Sequence, residues 1–202
     1  MREKAKIGVV ILAAGSSSRL GFPKQLVKYK GVFLLQHSID VAQSIGFSTK
    51  ILVLGAKAEE IEKKIDYLDF EVVINNNWEG GMGSSISKGI VEALKNEKDL
   101  EHILMLLSDQ PLVTKEQIEE LIRVHLKNNK QATFSEYEGD FGVPAIFSNT
   151  IFSDLIKLKG DQGAKKIFHE KNLEFNTVNF QNGNFDIDTI VDVERLKQLE
   201  EE

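Results

Sequence analysis

Apolar residues in this chain fall into short unbroken runs, separated by stretches in which they recur every three or four positions. The first run, Ile7, Val9, Val10, Ile11 and Leu12, is rich in β-branched residues and predicts a strand buried on both faces of a parallel sheet. Leu34, Leu35, Ser38, Ile39, Ala42 and Ile45 keep a three-four spacing, which predicts an amphipathic helix that Gly46 ends. The alternation then repeats: a strand over 50–55, a helix over 59–65, a strand over 70–74 and a polar, Gly-rich loop over 75–85. Ile86, Ile90 and Leu94 mark another helix, and 102–107 the next strand. Thr114 with Gln117 predicts a capping box before the helix carrying Ile118, Leu121 and Ile122. Further strands are predicted at 132–137, 143–147 and 174–178, and helices over 149–158, 163–170 and 191–199. The pattern predicts an α/β fold, a three-layer α/β/α sandwich around a mainly parallel, mixed sheet. No linker, repeat or low-complexity run divides residues 1–202, which read as one domain.

In such sheets ligands bind beyond the carboxyl ends of the strands. The three most unusual loops, at Gly15, Gly81 and Asp109, all follow strands at that end. The first, Ala13-Ala14-Gly15-Ser16-Ser17-Ser18-Arg19, is small or hydroxylated until its arginine, so a phosphate could approach the backbone N–H groups. Arg19 and Lys24 supply positive charge, and Pro23 stiffens the return of the loop. The loop reads as a triphosphate site; the plainer alternative is a strand-to-helix connection with incidental charges. Neither G-x-x-x-x-G-K-[ST] nor G-x-G-x-x-G is present.

Acids mark the other candidates. Asp109 stands at the tip of an apolar strand, where it could take a divalent cation or simply start the turn before Pro111. Asp186 and Asp188, two apart on an extended segment, point to one side and could face one metal. Alternatively Asp188 or Thr189 caps the last helix, with Asp192 completing the pair. In Glu79–Ser85 the glycines permit close backbone approach, while Ser84 could equally serve as a helix N-cap. The four histidines, at 37, 102, 125 and 169, have no ligand spacing, and Phe134, Phe141 and Phe147 read as core.

Composition narrows the classes. A net charge of −6 without a block of lysines or arginines argues against nucleic acid or an anionic membrane as partner. There is no cysteine, which excludes disulfides, zinc-thiolate sites and thiol nucleophiles. Residues 1–6 are charged and run directly into the first strand, so a cytoplasmic location is expected.

Leu12, Ala13, Ala14, Gly15, Ser17, Ser18, Arg19, Gly21, Pro23 and Lys24 follow L-A-A-G-x-S-S-R-x-G-x-P-K. This resembles the signature of the MobA-like family of nucleotidyltransferases, and within it the molybdenum-cofactor cytidylyltransferases. Asp109-Gln110-Pro111 is similar to the family's metal-binding strand end, Glu79–Ser85 to its E-G-M-x-x-S loop near the nucleobase, and Asp186–Asp192 to D-I-D-T-P-E-D. Gly142–Phe147 and Gly160–Lys165 resemble G-x-P-x-x-F and G-D-x-G-A-R. The resemblance implies a Rossmann-like nucleotidyltransferase fold and a chain that transfers CMP from CTP to the phosphate of molybdopterin. It implies nucleotide contacts from Leu12, Ala13, Ala14, Gly15, Ser17, Ser18, Arg19, Lys24, Gly81, Met82, Ser84 and Ser85. Arg19, Lys24 and Asp109 would be catalytic, with Asp109 and Asp188 holding Mg²⁺. Ala14 is similar to the cytidylyl branch, the guanylyl branch having L-A-G-G, and GTP stays open as the nucleotide. The chain departs from the pattern at Val143, often His, at Lys165, which replaces Arg, and at Ile190-Val191, which replace Pro-Glu. Two other readings stay open: a cytidylyl- or uridylyltransferase acting on a sugar or polyol phosphate, and a non-catalytic chaperone handing cofactor to a client molybdoenzyme.

Overall fold

In the computed structural model, which describes residues 5–183 and 185–201, the first apolar run forms strand β1 (Ile7–Ala13). The other strands are β2 (Lys28–Tyr29), β3 (Val32–Phe33), β4 (Thr49–Leu54), β5 (Glu71–Ile74), β6 (His102–Leu107), β7 (Ala132–Tyr137), β8 (Asp140–Ser148) and β9 (Phe175–Asn179). Seven of them form one sheet in the order β5-β4-β1-β6-β8-β7-β9. Strand β8 runs antiparallel to both neighbours, while every other pairing in this sheet is parallel. The mixed, mainly parallel sheet is the expected one.

Helices α1 (Leu34–Gln43), α2 (Ala58–Glu62), α3 (Met82–Asn96), α4 (Lys115–Asn128), α5 (Phe152–Leu155), α6 (Lys165–Lys171) and α7 (Ile190–Glu201) complete the fold. Successive strand residues point to opposite faces. Val10, Leu12, Ile51 and Val53 accordingly pack with Ile86 and Ile90 of α3, whereas Val9, Ile11, Leu52 and Leu54 pack with Leu35 and Ile39 of α1. Val9, Val10 and Ile11 are fully buried, each worth about 1.5–3 kcal/mol relative to exposure. That double burial is why the central strands are unbroken apolar runs. No helix among the described residues is long and apolar enough to cross a membrane.

Three elements depart from the sequence pattern. Helix α3 starts at Met82, four residues before the apolar spacing shows it, because Gly81 at φ 84 turns the chain directly into the first turn. The helix expected over 149–158 is broken into a 3-10 turn (Asn149–Ile151) and the short α5; Asn149, Thr150, Ser153 and Asp154 are poor helix-interior residues. The β2–β3 hairpin, turned by Lys30 and Gly31 at positive φ, is too short to show any period. At α4 the expected capping box is present: Gln117 N–H donates to Thr114 Oγ1 and Thr114 N–H to Gln117 Oε1.

Candidate active site

Beyond Ala13 the chain crosses the strand ends as a loop several of whose carbonyl oxygens are held by hydrogen bonds. Gln25 Nε2 donates to Ala13 O (2.8 Å) and Gly15 O (3.4 Å), and Ala56 N–H donates to Ala14 O (3.1 Å). The N–H groups of Leu20 and Gly21 both donate to Ser17 O. Among the described residues, no acceptor takes the N–H of Gly15, Ser16, Ser17, Ser18 or Arg19. With the carbonyls of Ala13, Ala14, Gly15 and Ser17 tied down and its amides unused, such a loop is a natural anion cradle. Gly15, Ser16 and Arg19 line a cavity of about 490 Å³ at the carboxyl edge of the sheet.

The floor of the cavity is a charge cluster. Lys24, in the 3-10 turn that follows Pro23, bridges Asp109 Oδ2 and Asp188 Oδ1, the latter at 2.8 Å. Arg19 Nη2 donates to Asp188 Oδ2 at 2.7 Å. Burial opposes the charge on Lys24, but Asp109 and Asp188 more than offset it and raise its pKa. Burial likewise pushes the Asp188 carboxyl up, yet Lys24 and Arg19 outweigh it and hold the group below the usual carboxylate range. Asp186, which also lines the cavity, forms no ion pair among the described residues; burial and then the charge of Asp109 push it up to about 7, against the opposing effects of Gln110 and Lys24.

Backbone contacts bring these acids together from distant parts of the chain. Ile187 N–H donates to Asp109 O at 3.1 Å, fastening the C-terminal segment to the end of β6. Gln110 Nε2 donates to Val143 O (3.1 Å) and Gly183 O (3.3 Å), fixing the same segment from its other side. Asp192 Oδ2 accepts from the N–H and hydroxyl of Thr189, both at 2.8 Å, and Asp192 N–H donates back to Thr189 Oγ1. Thr189 and Asp192 thus cap α7, which leaves Asp188 to the charge cluster.

The opposite wall is the start of α3. A Cβ on Gly81 would lie 2.3 Å from the carbonyl carbon of Gly160, so the two loops are in contact only because Gly81 has no side chain. Gly83 N–H donates to Gly160 O at 2.9 Å. Buried Asn75 donates to the hydroxyls of Ser84 (2.9 Å) and Ser85 (3.0 Å) and accepts from Asn77 N–H, holding the loop from β5 into α3.

Of the expected nucleotide contacts, Leu12, Ala13, Ala14, Gly15, Arg19, Lys24, Gly81, Met82 and Ser85 line the cavity, as do both expected metal ligands, Asp109 and Asp188. Ser17, Ser18 and Ser84 are not among its lining residues. The Ser17 hydroxyl instead accepts from Lys24 N–H at 3.0 Å. Ser84 is not the N-cap of α3; its hydroxyl donates back to Asn77 O and Gly81 O, both at 2.8 Å. Lys165 pairs with Asp140 and lies over the Phe141 ring, and it is not among the residues lining the cavity. Gln25, Trp78, Glu79, Asp161 and Asp186 also line the cavity. Asp186 was visible in the two-apart acid spacing, Glu79 and Asp161 in the motifs at 79–85 and 160–165; Gln25 and Trp78 carry no signal of that kind.

The donor set suits a hard divalent cation. The buried Oδ1 atoms of Asp109 and Asp186 have no hydrogen-bond partner among the described residues. No group of three or more His, Cys, Asp or Glu among the described residues forms a ready cage. Carboxylates completed by phosphate oxygens, rather than a closed protein cage, are the usual ligation of Mg²⁺.

A family model described as MobA-like NTP transferase domain matches residues 9–175. Over 155 residues the chain is 32% identical to the Bifunctional protein GlmU of Desulfitobacterium hafniense (strain Y51), a match covering 76% of this chain and 31% of that protein. Over 103 residues it is 37% identical to the nicotine blue oxidoreductase of Paenarthrobacter nicotinovorans, covering 50% of this chain and 48% of that one. The matched region is therefore less than half the length of either curated relative. Among solved structures, Rv0371c from Mycobacterium tuberculosis H37Rv superimposes with a TM-score of 0.83 at 30% identity, over 98% of this chain and 99% of that one. The same protein in complex with manganese gives a TM-score of 0.77 at 29% identity, over 96% of this chain and 99% of that one.

Proposed function

The chain belongs to the MobA-like NTP transferase family, and from that premise we propose that it transfers CMP from CTP to the phosphate of molybdopterin, releasing pyrophosphate. The observation that carries the reading is the row of unused amides over 15–19, opening beside a cluster of three carboxylates and two cations. The amides and Arg19 would receive the triphosphate, and Lys24 would leave the carboxylates to neutralise charge at the phosphates. Asp109 and Asp188, with Asp186 beside them, would hold Mg²⁺ or Mn²⁺. The bound cation supplies charge neutralisation of the phosphates during in-line displacement at the α-phosphorus.

A phosphomonoester acceptor has a second pKa of about 6, so it is already largely anionic at neutral pH. The site then has to position and neutralise rather than remove a proton, which agrees with a lining that contains no histidine. Preference for CTP rests on Ala14 and the L-A-A-G pattern.

The test is pyrophosphate release with Mg²⁺ and each of the four NTPs, with and without molybdenum cofactor. Release with CTP, dependent on the cofactor, is the expected result. Tight CTP binding without release would redirect the acceptor to a sugar or polyol phosphate. Failure to bind any NTP would replace the enzyme by a cofactor chaperone for a client molybdoenzyme.

A further inference from the structure

We propose that Gln25 is the positioning residue of the phosphate loop, orienting its amides for the triphosphate chain; this rests on the triphosphate reading of the cavity. Its side chain is 1% exposed and lies one residue from Lys24, in the same 3-10 turn. Both hydrogens of its amide are directed at one loop, to Ala13 O at 2.8 Å and Gly15 O at 3.4 Å. The reverse amide orientation would set an oxygen against two carbonyl oxygens, so the chemistry dictates which atom faces them. Oε1 is left buried without a partner among the described residues. An unpaired buried oxygen is a cost, which marks Gln25 as a poor choice for stability alone.

The two carbonyls it holds flank Ala14, whose own oxygen is fixed by Ala56 N–H. Three successive peptide oxygens are thus anchored from outside the loop, and peptide planarity then fixes the direction of the N–H of Gly15 and Ser16. Gln25 couples this orientation to Lys24 because both leave the same turn. Preorganised donors of this kind bind an anion without reordering the loop at each event.

The experiment compares the wild type with Gln25→Met, which keeps side-chain length and removes both donors. CTP·Mg²⁺ and tripolyphosphate·Mg²⁺ are the probes. Trp78, the chain's single tryptophan, lines the cavity and reports binding by fluorescence. The expected result is a Kd about tenfold higher for both probes and in the same ratio, because the loss is in the phosphate cradle. Gln25→Glu, which turns a second oxygen toward the carbonyls, should weaken both probes at least as much and carries the test if the Met variant does not fold. Unchanged Kd, a lower Tm with unchanged Kd, or weakening of CTP alone would each overturn the proposal. If the wild type binds neither probe, the triphosphate site itself is refuted; if wild type and variant bind alike, only the role of Gln25 is.

Discussion

Lys24→Met removes the ammonium that joins Asp109 to Asp188 while keeping most of the aliphatic stem. The lysine side chain is 17% exposed, that of Asp109 9% and that of Asp188 35%, so the bridge is buried at one end and partly solvated at the other. Stranding one partner of a fully buried ion pair costs about 3–5 kcal/mol. The exposure of Asp188 and its remaining bond to Arg19 bring the expected loss toward the low end, about 3 kcal/mol. For a chain of this size each kcal/mol shifts Tm by about 2–4 °C, so the drop should be roughly 6–12 °C at neutral pH. The same variant should bind a divalent cation without nucleotide better than the wild type. In the wild type, Asp109 Oδ2 and both Asp188 oxygens are already bonded to Lys24 and Arg19. Thermal melts with and without millimolar Mg²⁺ or Mn²⁺ provide the assay. Cation should restore about 2.7 kcal/mol to the variant at a hundredfold excess over Kd, and much less to the wild type. No destabilisation, or equal stabilisation of both proteins by metal, would refute this account of the cluster.

A second outcome concerns pH. Buried His125 is hydrogen-bonded through Nδ1 and Nε2 to Thr133 and His102, and burial followed by the charge of His102 pushes it down to about 4. An unfolded histidine titrates near 6.5, so between those values the unfolded chain binds the extra proton and stability rises with pH. Acidification from about 6.5 to 4 should therefore remove about 3 kcal/mol, seen as a wild-type Tm that falls more steeply than that of His125→Gln. Gly81→Ala forces a side chain into a backbone region reserved for glycine and against Gly160; a stability loss of about 2–4 kcal/mol and weaker nucleotide binding are expected in urea melts and titrations. Asp109→Asn should lower turnover by about a hundredfold or more in a pyrophosphate-release assay.

The central strands and the loops at their carboxyl ends were legible in the sequence because burial on two faces leaves no polar residue to interrupt an apolar run. Acids two apart at 186 and 188 were legible as facing one point, since period two is a property of any extended segment. The antiparallel direction of β8 was not, because an apolar run carries no sign of direction. Nor were Gln25 and Asn75, polar residues whose importance lies in distant carbonyls and hydroxyls that only the folded chain brings within reach. Ser17 and Ser84 show the converse: hydroxyls in a candidate motif that the loop uses to hold itself together.

The most direct test of the account is a crystal of the protein grown with a non-hydrolysable CTP analogue and Mn²⁺, measured for anomalous scattering. The expected map has the phosphates against the amides of 15–19 and a manganese peak bonded to Asp109 and to Asp188 or Asp186, with Lys24 moved from the carboxylates to a phosphate oxygen. Phosphates bound elsewhere, or a nucleotide in the cavity with Lys24 still bridging Asp109 and Asp188, would contradict it.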